Sequence, residues 1–121
     1  MTNKHLEDAR AWLEHARDEK DNHRVACAMA VHSVIKSLTA LFEEFLGEMP
    51  GRHDHATDYF RRLIDDGHID PDESKYTRNI QNMLQKKTDA DYKATYFSKS
   101  DADKWRKQSE RIYKMAKNYV E

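Results

Sequence analysis

The chain has 121 residues, 38% of them hydrophobic, and its 21 Lys and Arg nearly balance 22 Asp and Glu, for a net charge of −1. That length holds one core and no second one, so residues 1–121 read as a single domain, and the balanced charge excludes a strongly basic nucleic-acid binder. Three Gly and two Pro leave little turn chemistry for many short strands, and the lone Cys27 excludes an internal disulfide or a cysteine-built zinc site.

The first predicted element is a helix capped by Thr2 or Asn3, with Leu6, Ala9, Leu13 and Ala16 as a one-sided apolar stripe and Trp12 beside it. The chain resets around Asp21-Asn22. A second helix, from Val25 to Leu46, carries a wide apolar face of Val25, Ala28, Met29, Val31, Ile35, Leu38, Leu41, Phe42 and Phe45, and reads as the central, most buried element. Cys27 sits among these residues as an inert, buried thiol. Gly47 and Pro50-Gly51 end the helix, because Gly suits the left-handed cap position and Pro cannot continue the helix. A shorter helix from about Asp54 to Asp65 buries Ala56, Tyr59, Phe60, Leu63 and Ile64, and Gly67 closes it.

Asp70-Pro71-Asp72-Glu73 is a helix start, with Asp70 as cap, Pro at the first helical position and acids facing the positive end of the dipole. The helix continues through Tyr76, Ile80, Met83, Leu84, Lys87 and Ala90. Phe97-Ser98-Lys99-Ser100 interrupts it, and Ser100-Asp-Ala-Asp103 is read as a capping box for a last helix with Ala102, Trp105, Ser109, Ile112, Ala116 and Tyr119 on one side. The whole is an all-α, up-and-down bundle of four to five helices. No apolar run approaches the roughly 20 residues of a membrane span, and the N-terminus lacks the apolar stretch of a signal peptide, so the expectation is a soluble, cytoplasmic protein.

The average charge hides an asymmetry: residues 40–75 hold ten acids against four bases, and residues 86–121 hold ten bases against six acids. Opposite fields of this kind support self-association, although solvated helix faces give the same pattern. His53-x-His55 with Asp54 and Asp58 is the densest histidine cluster. A di-metal bundle site uses Glu-x-x-His on inward faces, which occurs nowhere in this chain, so neither metal nor cofactor is expected. Phosphate-binding glycine loops and a nucleophile elbow are also missing from the sequence.

Two blocks carry a resemblance. Ser33-Val-Ile-Lys-Ser-Leu-Thr-Ala-Leu41, followed by Gly47 and Pro50 and then His53-Asp54, resembles the central helix, turn and His-Asp helix start of the HEPN family, with Lys36, Leu38, Ala40 and Leu41 matching and Ile35 and Thr39 departing. Lys87-Thr-Asp-Ala-Asp-Tyr92 is similar to an Arg-x-x-x-Asp-Tyr signature of a non-nuclease branch, with Lys in place of Arg. The resemblance spans roughly residues 5–120 and implies a HEPN-like bundle. It further implies a homodimer and a non-catalytic role beside a nucleotidyltransferase-fold partner in a toxin–antitoxin, stress or defence setting.

Nuclease members carry Arg, four to six residues, then His, in which His moves a ribose proton and Arg steadies phosphate charge. Arg10/His15, Arg17/His23, Arg62/His68 and Arg61/His68 have that spacing, but no His follows His68, where the family places it. A metal-independent endoribonuclease is therefore the alternative, and a nucleotide- or RNA-binding module using the basic C-terminal helix is a third reading. Candidate ligand or partner residues are Lys87, Asp91, Tyr92, His53 and Lys36. Their structural alternative is an i, i+4 ion pair of Lys87 with Asp91, a packed Tyr92 ring, and His53 bonding the exposed backbone of a helix start.

Overall fold

The structure is a computed structural model that describes residues 3–52, 55–93 and 96–121, without the side chain of Tyr92. The helices are α1 (Lys4–Asp18), α2 (His23–Leu46), α3 (Ala56–Asp65), a 3-10 helix (Pro71–Tyr76), α4 (Thr77–Gln85), α5 (Lys87–Tyr92) and α6 (Lys99–Val120), and no strand occurs among the described residues. The Asn3 side chain accepts from the backbone N–H groups of His5 and Leu6, and Asn22 accepts from Val25 N–H, so short polar side chains start the first two helices as their residue types dictate. Gly47 ends α2 in the left-handed region at φ 68°.

Helix α2 runs through the middle, with α1 and α6 packed closely against it. Small residues make that approach possible. Ala9 and Ala16 on α1, Ala26, Cys27, Ala30, Ser33 and Ser37 on α2, and Ala102, Ser109 and Ala116 on α6 are all fully buried. The hydroxyls cross the gaps: Ser33 donates to the Ala9 carbonyl at 2.7 Å and Ser109 to the Ala30 carbonyl at 2.8 Å, so neither buried oxygen is left unpaired. Burial pushes the Cys27 thiol up to about 12, with the nearby Asp101 charge adding to the shift, which keeps it protonated and unreactive.

Three expectations need correction. The face of α2 formed by Val25, Ala28, Met29, Ile35 and Phe45 is only half-buried, because close packing of two helices selects the small residues and turns the larger ones aside. The capping box lies at Ser98 and Asp101, not Ser100 and Asp103: Ser98 Oγ accepts from Asp101 N–H at 3.0 Å and the Asp101 carboxylate accepts from Ser98 N–H at 2.9 Å. Phe97, just before the cap, fixes that register by packing edge-on against Trp105 at 5.6 Å. The fourth predicted helix is three pieces, so the element count exceeds four to five. Its 3-10 start is capped by Asp70, which accepts from Asp72 N–H, and at Lys86 it bends so that α5 lies on α2 while α4 lies on α3.

By length and composition α2 would also cross a membrane, with a mean hydropathy of 1.6 over an 18-residue window. Two thirds of that window is inside the domain, 67%, so a core position accounts for the apolarity.

Two arginines close helix ends from a distance. Arg106 on α6 donates to the carbonyls of Ala16 and Glu19 at the end of α1 and pairs with Asp103 at 2.9 Å. Arg24 on α2 donates to the Ala90 carbonyl in α5 at 2.6 Å. Charge-assisted bonds to such carbonyls are the stronger kind, so Arg106→Ala is expected to lower stability by about 2 kcal/mol. Urea unfolding of the two proteins measures it, and an unchanged midpoint contradicts the capping role.

Candidate functional site

The short helix α5 brings Lys87 and Asp91 onto one side, four residues apart, and lays that side against α2. Lys87 Nζ lies 2.6 Å from Asp91 Oδ2, and the side chains are 17% and 10% exposed. The second carboxylate oxygen is also engaged: Asp91 Oδ1 is 3.3 Å from His32 Nε2 of α2. His32 in turn stacks on Trp12 of α1, with ring centres 4.7 Å apart and planes at 24°. Trp12, Ala11, His15 and Met29 line an open groove of about 420 Å³ between α1 and α2 next to this stack.

The other candidate residues do not join this cluster as one group. Lys36 is one turn beyond His32 on α2 and faces Asp8 of α1 at 3.6 Å. His53 lies outside the described residues, as does the Tyr92 side chain, although the Tyr92 backbone ends α5. Several members of the Arg and His pairs with nuclease-like spacing are engaged elsewhere. Arg17 pairs with Glu110 at 2.9 Å, Arg62 with Glu48 at 3.1 Å, and His68 stacks on Phe45 at 5.3 Å.

His32 is not among the residues that the sequence singles out. The available signal was spacing: His32 lies on the same side of α2 as Val25, Met29 and Lys36, which is the half-buried side. Chemically, the Asp91 carboxylate lies within ion-pair distance of His32 Nε2, the arrangement in which a carboxylate orients an imidazole in proton-transfer sites. It also neutralises Lys87, so that ammonium is a poor phosphate clamp in this geometry.

The family model described as HEPN domain matches residues 2–119. Neither a curated protein nor a solved structure matches the chain.

Proposed function

This chain belongs to the HEPN domain family, and we propose that it is a non-catalytic homodimer that acts by docking a nucleotidyltransferase-fold partner, in a toxin–antitoxin, stress or defence setting. The observation that carries the dimer is the outward side of α2. Val25, Ala28, His32 and Ile35 follow one another at spacings of three and four, with Met29 and Lys36 beside them, and all are half-buried in the single chain. A helix seam with that spacing, flanked by Trp12 and by the Lys87–Asp91 pair, suits a two-fold contact with a second copy. The non-catalytic part rests on Lys87, whose charge is set against Asp91 where a phosphate clamp needs it available.

One observation favours a second reading, metal-independent RNA cleavage. His32 supplies from α2 the imidazole that the sequence lacks after His68, and Asp91 already orients it.

Light scattering on the eluting protein tests the dimer: the expected mass is twice that of the chain, falling to a single chain in Met29→Glu. A monomer at tens of micromolar overturns it. RNA cleavage that disappears in His32→Ala transfers the conclusion to the second reading.

A further inference from the structure

Helix α5 is held to the domain differently from its neighbours. α3 buries Phe60 and Leu63, α4 buries Ile80 and Met83, and α6 buries Trp105, Ile112 and Met115, so large apolar side chains fix each of these helices. Among the described side chains of α5 only Ala90 is buried; Thr88 is exposed, and Lys87, Asp89 and Asp91 are half-buried. Two polar ties join α5 to α2 instead. Arg24 donates to the Ala90 carbonyl at 2.6 Å, and His32 lies 3.3 Å from Asp91. The Lys87–Asp91 pair is internal to α5 and adds no tie to α2. Both ends of α5 already leave the helical conformation, at Lys86 with φ −93° and ψ 2° and at Lys93 with φ −109° and ψ 149°. A helix of six residues is too short to keep its own hydrogen bonds once it parts from the surface that supports it.

We infer that α5 is a latch, which opens from α2 as a unit while the other helices stay packed, and so controls access to one side of α2. The two ties lie about 12 Å apart along α2 at the helical rise. Between them, on the same side as Arg24, stand Cys27 and Val31, both fully buried. Water takes over the polar ties of α5 as soon as they part, whereas lifting α3, α4 or α6 exposes large apolar groups, so the opening of α5 is the sub-global one that this packing favours. Opening uncovers Cys27 and Val31 beside the half-buried Val25, Ala28 and Ile35. The closed form therefore withholds part of an apolar surface that the open form presents as one patch. The latch is a property of the single chain and does not rest on the homodimer.

The test is hydrogen exchange of the full chain, followed amide by amide in low urea, with alkylation of Cys27 by iodoacetamide under the same conditions. Burial holds the Cys27 thiol up at about 12 in the closed form, so alkylation reports its uncovering. The α5 amides are expected to exchange through one shared opening, at least about a hundredfold more populated than the global opening that governs the central amides of α2 and α6. Its urea dependence is expected to be a small fraction of theirs, because little surface is exposed, and Cys27 alkylation follows the α5 opening. Arg24→Ala removes a charge-assisted bond present only in the closed form, and is expected to speed α5 exchange and Cys27 alkylation together by about tenfold or more. Leu63→Ala, which weakens the core in α3, is expected to speed the central α2 and α6 amides and to leave the α5 amides unchanged. The inference is overturned if α5 exchanges with the rate and urea dependence of α2 and α6, if Leu63→Ala speeds all three alike, or if Cys27 is alkylated only through global unfolding.

Discussion

Ser109→Leu is expected to lower the unfolding free energy by about 3 kcal/mol or more, while Ser109→Ala lowers it by about 1 kcal/mol or less. Ser109 is fully buried where α6 packs on α2, and its hydroxyl donates to the Ala30 carbonyl at 2.8 Å. That carbonyl is already within a helix, so losing the hydroxyl removes one bond without leaving an unpaired acceptor, and alanine keeps the gap nearly filled. Leucine puts a branched carbon with two methyl groups where one hydroxyl oxygen stood, against the Ala30 backbone of α2 in a packed interior. The helices must separate, and the neighbouring Ile112 and Trp105 lose their packing with them. Urea midpoints at constant slope measure the difference. Equal losses for the two variants contradict the claim that side-chain size, rather than the hydrogen bond, sets the spacing of α2 and α6.

The same contact explains why the architecture was legible in the sequence and the register of α2 was not. On α1 the apolar positions Leu6, Ala9, Leu13 and Ala16 stand alone against polar neighbours, so one stripe was visible, and all four are buried. On α2 nearly every side is apolar or small, because helices cover it on more than one side, and periodicity then has no polar face to contrast with. Large residues such as Met29 and Ile35 dominate the apolar pattern of the sequence, whereas close packing buries Ala26, Ala30 and Ser33. The capping box failed for a related reason. Ser98-Lys-Ser-Asp101 and Ser100-Asp-Ala-Asp103 have the same local chemistry, and the packing of Phe97 on Trp105, two turns into α6, favours the first.

The Lys87 and Asp91 pair was readable because a helix places residues four apart side by side, whatever surrounds them. His32, 59 positions from Asp91, was not, since only the tertiary packing of α5 on α2 brings the two together. The long-range caps are of the same kind. Arg106 reaches the end of α1, a partner 90 positions away at Ala16, and nothing in the sequence around either residue announces it.

Asp91→Ala is expected to cost about 2–3 kcal/mol, the second of the two large effects. Its carboxylate serves two partners at once, Lys87 at 2.6 Å and His32 at 3.3 Å, in a place where the side chains of Lys87 and Asp91 are mostly covered. Removing one member of a well-buried pair costs about 3–5 kcal/mol, and the remaining exposure here lets water relieve part of it. The variant also releases His32 from α5 and leaves it stacked on Trp12. Lys87→Met/Asp91→Leu removes both charges and fills the same volume with apolar groups, so its stability is expected to return to within about 1 kcal/mol of the starting protein. Single and double variants of equal stability contradict this account. The double variant also separates structure from function: it keeps α5 on α2 while erasing the charges, so a partner that recognises this spot is lost from a protein that remains folded. A partner retained by the double variant and lost in Met29→Glu instead assigns recognition to the apolar side of α2.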